Sequence, residues 1–247
     1  MDIYGRNSAL EYLRAIKSGS GGAVLFVSGT AHGKIIQVLL NEASRAGVRV
    51  ERREKGFFSG LGPSSVHQGI VLRLKTGARA ESKADGDLDF MDRVARDRGV
   101  LVLLDRLTDP YNVGSIIRTA EALGASGVVM LKAHAAPVTA TVVKASAGAT
   151  AHIPVIETPN AARFIEKARD AGFWIIGSSG EGDMDPSGLG ALKPAVIIIG
   201  SEGDGIRRIN AEKCHHIVRI PLRGRIGSLN ASVAAGILIY ELLKENS

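Results

Sequence analysis

Short apolar blocks recur along the chain, separated by polar stretches with two different spacings. Over residues 1–75, Ala23 to Val27, Val48 to Arg52 and Gly69 to Leu74 read as strands. Lys34 to Ala46 carries Ile35, Val38, Leu39 and Ala43 at helical spacing, which predicts a helix with those residues inward. Ser8-Ala9-Leu10-Glu11 has the spacing of a capping box, in which a serine and the glutamate three residues on each accept from the other's backbone N–H. A helix is therefore expected from there to about Lys17. Gly19 to Gly22 break the chain, and Glu54 to Leu61 reads as a short helix. The alternation describes a compact α/β unit.

Thr76 to Asp89 holds no apolar cluster and is rich in Gly, Ala, Lys, Asp and Glu, the composition of a flexible linker. Beyond it, buried strands are expected at Val100–Leu104, Gly127–Leu131, Ile153–Ile156, Phe173–Ile176, Val196–Ile199 and Ile217–Ile220. Helices alternate with most of them, including Pro159 to Ala171, which is the pattern of a parallel α/β sheet. The organisation read from the chain is a small α/β domain at 1–75, a linker at 76–89 and a parallel-sheet domain at 90–247. No internal repeat at solenoid spacing is present.

Composition narrows the class. The 247 residues are 45% hydrophobic, without an apolar run near the roughly 20 residues needed to span a bilayer. The N-terminus is polar and charged, unlike a secretory signal, and the single cysteine, Cys214, excludes an intramolecular disulfide. Both point to a globular protein of the reducing cytoplasm. A net charge of +6 suits a polyanionic partner bound through phosphates. Arg207, Arg208, Arg223 and Arg225 stand beside glycine-rich stretches, and an aromatic content of 4% disfavours base stacking across a wide sheet.

Three strand ends carry the candidate chemistry. The strand to Leu104 runs through Asp109-Pro110 into a helix bearing Asn112 and Arg118. Those two are six residues apart, so both can overhang the sheet edge only if Asn112 lies at or before the helix cap. Ala195 to Ile199 runs into Gly200-Ser201-Glu202-Gly203-Asp204-Gly205, with two carboxylates in a glycine turn. A strand from His216 to Ile220 ends at Pro221; a basic glycine loop follows, and Ser228 and Asn230 open a helix from about Ala231 to Lys244. Open α/β sheets place their sites at such carboxyl ends. The glycine turn lacks the Lys-Ser/Thr ending of a P-loop and the order of a dinucleotide fingerprint. Cys214-His215-His216 has no second cluster at zinc spacing, so no metal is expected, and His67, His134 and His152 stand alone and support no hydrolase triad.

In order, these segments resemble the N-G-R, G-S-E-G and I-P…S-L-N motifs of the SpoU (TrmH-type) branch of the SPOUT RNA methyltransferases, and Lys144 to Ala149 resembles a further stretch of that family. Ile3 to Glu11 and His67 to Val71 resemble the L30e-like RNA-binding domain of the ribose-methylating subgroup that acts on 23S rRNA.

The resemblance implies a C-terminal SPOUT domain with a deep trefoil knot and S-adenosylmethionine as cofactor, contacted at Gly200, Ile220 and Leu229. It implies a catalytic set of Asn112, Arg118, Glu202, Ser228 and Asn230 for methyl transfer to a ribose 2′-hydroxyl, with a guanosine in 23S rRNA as the expected target. Arg118 holds the place of the family's proposed base. A guanidinium stays protonated in proteins, so binding the target phosphate and stabilising a forming alkoxide is an equal alternative. Glu202 has three open roles: holding Arg118, helping accept the proton, or supporting the loop. The resemblance also implies a homodimer through the knotted domain, with each site completed by its partner. A tRNA ribose methyltransferase, a resistance-conferring rRNA methyltransferase and a non-catalytic RNA-binding or ribosome-assembly factor stay open as alternatives.

Overall fold

The computed structural model describes residues 1–16, 22–61, 66–74, 88–133 and 135–244. Most of the expected linker, the glycine break through residue 21 and His134 lie outside them. Contacts divide the chain into two compact units, one of Met1–Glu81 with Val138–His152, the other of Ser82–Pro137 with Ile153–Ser247.

The first unit is built on a sheet of β1 (Asp2–Tyr4), β4 (Ile70–Leu74), β2 (Ala23–Ser28) and β3 (Arg49–Arg53), in that order. Only the β2–β3 pair is parallel. One sheet face is covered by α1 (Arg6–Ala15) and α2 (Lys34–Arg45), which join Leu13, Leu25, Leu39, Ile70 and Leu72 in one apolar core. The inward face of α2 is Ile36, Leu39 and Ala43, so the expected face was offset: Val38 is exposed and Ile35 half-buried. On the opposite sheet face, α3 (Lys55–Ser59) brings Phe58 onto Phe26 and Val71. The Arg53 and Arg73 guanidinium groups lie over the Phe26 ring at 5.6 and 5.1 Å.

The capping box does not form. Gly5, at φ 92°, turns the chain out of β1, and Ala9 N–H donates to Gly5 O at 3.1 Å, so α1 begins at Arg6, two residues before Ser8. Ser8 is buried inside the helix, and Glu11 turns instead to Arg14 and His152.

Val138–His152 lies within the range expected for the second domain but packs as part of the first unit. It consists of α6 (Ala140–Ala145) and a 3-10 turn at Ala149–Ala151. Val143 is buried in the core of the first unit, Thr150 Oγ1 lies 2.9 Å from the Tyr12 hydroxyl, and His152 Nε2 lies 2.8 Å from Glu11. Gly148 is required twice over: its φ is 91°, and a Cβ there would stand 2.8 Å from Cβ of Glu11.

The second unit opens with α4 (Leu88–Arg96), which takes up the last two residues of the expected linker. Its sheet is six-stranded and wholly parallel. The strands are β5 (Val100–Leu104), β6 (Gly127–Leu131), β7 (Val155–Thr158), β8 (Trp174–Ser178), β9 (Ala195–Ile199) and β10 (His216–Val218), in the order β10-β8-β9-β5-β6-β7. Every residue of β5, β6 and β9 is buried, which is why these strands read as unbroken apolar runs rather than alternations.

After α4, the α-helices of this unit among the described residues are α5 (Pro110–Ala122), α7 (Ala161–Asp170), α8 (Arg208–Ala211) and α9 (Ala231–Leu243). Asp109 caps α5 by accepting from the N–H groups of Tyr111 and Asn112, and Pro110 takes the first helical position, where no N–H is needed. The last strand is shorter than its apolar run. After Val218, Arg219 N–H donates to Met184 O, and Ile220 leaves the sheet. The chain then returns from this edge strand to α9, which packs on α5, β9 and the 186–191 turn. Among the described residues no helix is long and apolar enough to cross a membrane.

Candidate active site

Three elements meet at the carboxyl edge of the parallel sheet around one carboxylate oxygen. Glu202 Oε1 accepts from Asn112 Nδ2 at 3.0 Å, from Asn230 Nδ2 at 2.6 Å and from the backbone N–H of Ala231 at 3.5 Å. Asn230 Nδ2 also donates to Asn112 Oδ1 at 2.9 Å. Asn230 is the N-cap of α9: its Oδ1 accepts from the Ser232 and Val233 N–H groups and from the Ser232 hydroxyl. The cap fixes which end of the amide faces Glu202. A carboxylate at the start of α9 is also favoured by the partial positive charge of the helix terminus.

Glu202 is presented by a loop that glycine makes possible. Ser201 and Gly205 exchange backbone hydrogen bonds at 3.2 and 3.0 Å, closing the turn, with Gly203 at φ 96° and Gly205 at φ 65°. At Gly200 the chain passes so close that a Cβ would stand 2.1 Å from the Gly205 carbonyl carbon. This loop forms one wall of a cleft of about 800 Å³, within the range of small-molecule sites. Gly200, Glu202, Ile220, Ser228, Leu229 and Asn230 all line it. Sequence reasoning missed a further wall, Ser178 to Glu181 at the end of β8. The signal was available there, since an apolar strand again runs into small polar residues and a carboxylate.

The lining is chemically selective. Glu181, Glu202 and Asp204 contribute carboxylates, and among the described residues no lysine, arginine or histidine lines the cleft. Such a wall repels phosphates and suits a ligand with a cationic centre. Backbone groups of the glycine loop and the apolar Ile199, Ile220, Leu222 and Leu229 offer a seat for a flat heterocycle. S-adenosylmethionine, cationic at sulfur and lacking phosphate, fits these residues.

Arg118 stands apart. Asn112 is the third residue of α5, inside the helix rather than at or before its cap, so the condition for both side chains to overhang the edge is not met. Arg118 is exposed and does not line the cleft, and its side chain has no hydrogen bond or ion pair among the described residues. Glu202 holds the two asparagines and not Arg118. Ser228 is exposed in the cleft wall, also without a hydrogen-bond partner among the described residues.

Of the arginines beside the glycine stretches, Arg207 pairs with Asp105 and Arg208 with Glu212, while Arg223 and Arg225 are exposed. Cys214-His215-His216 opens β10, and no group of potential metal ligands occurs among the described residues. Burial pushes the Cys214 thiol up to about 12. His215 Nδ1 accepts from Ile175 N–H at 2.9 Å, and burial, then Arg169 and His216, lower its pKa.

Sheet and cleft together define an α/β protein with a glycine-walled ligand site at the carboxyl edge of a parallel sheet. Residues 99–240 match the model of the SpoU rRNA Methylase family, and the chain belongs to that family. It is 34% identical over 225 residues to the 23S rRNA (guanosine-2′-O-)-methyltransferase RlmB of Pseudomonas aeruginosa, covering 90% of this chain and 88% of the relative. It is 35% identical over 208 residues to RlmB of Vibrio vulnificus, covering 84% and 82%. Among solved structures it resembles the SpoU methyltransferase AviRb of Streptomyces viridochromogenes in complex with AdoMet, with a TM-score of 0.77, 28% identity and coverage of 98% of this chain and 89% of that one.

Proposed function

We propose that this protein is an S-adenosylmethionine-dependent methyltransferase that modifies the 2′-hydroxyl of a ribose, a guanosine, in 23S rRNA. The observation that carries the reading is the Asn112–Glu202–Asn230 network on the rim of a cleft lined by carboxylates, in a chain of the SpoU family. RlmB relatives matched over most of their length support the substrate.

Bound S-adenosylmethionine supplies an electrophilic methyl group on a sulfonium. The protein's task is then to hold the hydroxyl in line with that methyl and to manage its proton. Gly200, Ile220 and Leu229 line the seat, where the backbone can grip an adenine. Asn230, oriented by its cap, and Asn112 fix Glu202 at the rim, while Ser228 has a free hydroxyl to offer the ribose. Arg118 binds the target phosphate and stabilises the forming alkoxide as a cation.

The position of Arg118 supports a homodimer. Tyr111, Ser115 and Arg118 lie along the outer side of α5, and Val233, Ile237 and Tyr240 form an exposed apolar row on α9. The helices touch where Gly236 meets Thr119, so both rows flank one seam. A second copy covering this face would bury the apolar row and bring Arg118 toward the other protomer's cleft. The trefoil knot belongs to the same reading and is supported by the return of residues 219–230 from the sheet edge to the cleft beside β9.

The first unit is read as an L30e-like RNA grip, with Lys34 and Arg52 exposed for phosphates, while Arg6 and Arg53 hold Gln68 and Glu51. The compartment is the cytoplasm. The test is methyl transfer from labelled S-adenosylmethionine into total RNA from cells lacking the protein, with Arg118→Ala alongside. Label in 23S rRNA at a guanosine ribose, absent with the variant, is the expected result. Label in tRNA would move the substrate, and absence of donor binding would overturn the reading.

A further inference from the structure

One buried charge has no part in the chemistry above. Asp105, the residue after β5, is 1% exposed. Its Oδ1 lies 2.8 Å from both Nε and Nη2 of Arg207, and its Oδ2 accepts from the Arg207 backbone N–H at 3.2 Å and from Asn210 Nδ2 at 2.7 Å. Its own N–H donates to Ile199 O at 2.8 Å. Ile199 and Arg207 flank the glycine loop 200–206, so this single residue clasps both ends of the loop that walls the cleft.

The chemistry of the clasp is specific. Four N–H donors converge on two oxygens, which only an ionised carboxylate accommodates in full. The Asn210 amide turns its nitrogen to Asp105 although its own Oδ1 is then buried without a partner. Arg106, the next residue, takes a left-handed φ of 60°, strain located at this same point.

We infer that Asp105 is a positioning residue for the methyl donor: through Arg207 and Asn210 it holds the glycine loop in the shape that receives the cofactor. This rests on reading the cleft as the S-adenosylmethionine site. Asp105 acts through the loop and touches no reacting atom.

The test uses the full chain and compares Asp105→Asn, Arg207→Lys and Asn210→Ala with the wild type. The exposed neighbour Arg208→Ala serves as control, since its side chain pairs only with Glu212 among the described residues. Three quantities are read: the S-adenosylmethionine Kd by calorimetry, amide exchange across residues 200–206, and the separate KM values for donor and RNA. Asp105→Asn is expected to weaken donor binding by about ten-fold or more, because it places an N–H donor against Arg207. Exchange should quicken in 200–206 alone, with the KM for RNA unchanged. Arg207→Lys, which keeps the charge but loses the paired geometry, should fall between variant and wild type.

Unchanged donor Kd and unchanged loop exchange in a folded Asp105→Asn protein would overturn the inference. So would faster exchange throughout β5 and β9 with both KM values rising together, the mark of general structural support. Should Asp105→Asn not fold, the same two results decide the matter on Arg207→Lys and Asn210→Ala. A wild type that fails to bind the donor would instead remove the reading of the cleft, and the loop exchange would still report on the clasp.

Discussion

Asn112 and Asn230 share a single oxygen of Glu202 although 118 residues separate them along the chain. The junction ties the start of α5, the tip of the glycine loop and the start of α9 into one rim. Removing any one member therefore affects the other two.

Asn230 has separable duties. Asn230→Ala loses the cap and both donations, and is expected to lower unfolding stability by about 1–2 kcal/mol in urea titration, with activity lost. Asn230→Asp keeps the cap oxygen but sets a second carboxylate against Glu202. It should abolish methyl transfer while retaining more of the helix cap, visible as a smaller loss of helical circular dichroism on mild heating.

Arg118 gives a test of the proposed homodimer that needs no structure of one. Arg118→Ala and Asn230→Ala are each expected to be inactive as homodimers. Co-expressed, they should regain about a quarter of wild-type activity, since half the dimers are mixed and one of their two sites is intact. Absence of any recovery would place Arg118 in its own protomer's site. Ile237→Asp on the exposed row of α9 should yield monomers by sedimentation and no activity.

Cys214 should be inert in the folded protein. With its thiol pushed up to about 12, only roughly one molecule in ten thousand is thiolate at pH 8. Iodoacetamide is expected to leave it unlabelled natively and to label it fully in denaturant, read by mass spectrometry.

His215 gives the acid side of the stability profile a definite sign. Its pKa is lowered on folding, by burial first, so the unfolded chain binds the proton more readily. Its contribution is present above the unfolded value near 6.5 and is lost as pH falls through the lower folded value. His215→Asn supplies an oxygen for Ile175 N–H but does not titrate, and should flatten the urea-midpoint profile below pH 6.5.

The parallel sheet was legible in the sequence because strands buried on both faces, such as β5 and β9, announce themselves as apolar runs of the right length. That Glu202, Ser228 and Asn230 line one cleft was legible because Glu202 follows the buried β9 directly in a glycine turn, while Ser228 and Asn230 stand in the glycine-containing loop between β10 and α9. What escaped depends on partners distant in sequence. Ser8 and Glu11 have the spacing of a cap, yet Gly5 had already started the helix. Ile220 continues an apolar run, but Met184 draws the chain from the sheet one residue earlier. The isolation of Arg118 follows from Asn112 lying inside α5, which depends on Asp109 winning the cap.

The excursion Val138–His152 bears on how the protein is made. The first unit is encoded largely at the start of the chain, yet Val143 in its core and Thr150 beside Tyr12 are translated more than sixty residues after β4 has been completed. During synthesis the first unit thus waits with an apolar seat unfilled while β5 and β6 emerge. It can close only when residues through His152 have left the ribosome, so an rRNA-modifying enzyme of this design cannot finish its N-terminal unit before much of the second has been translated.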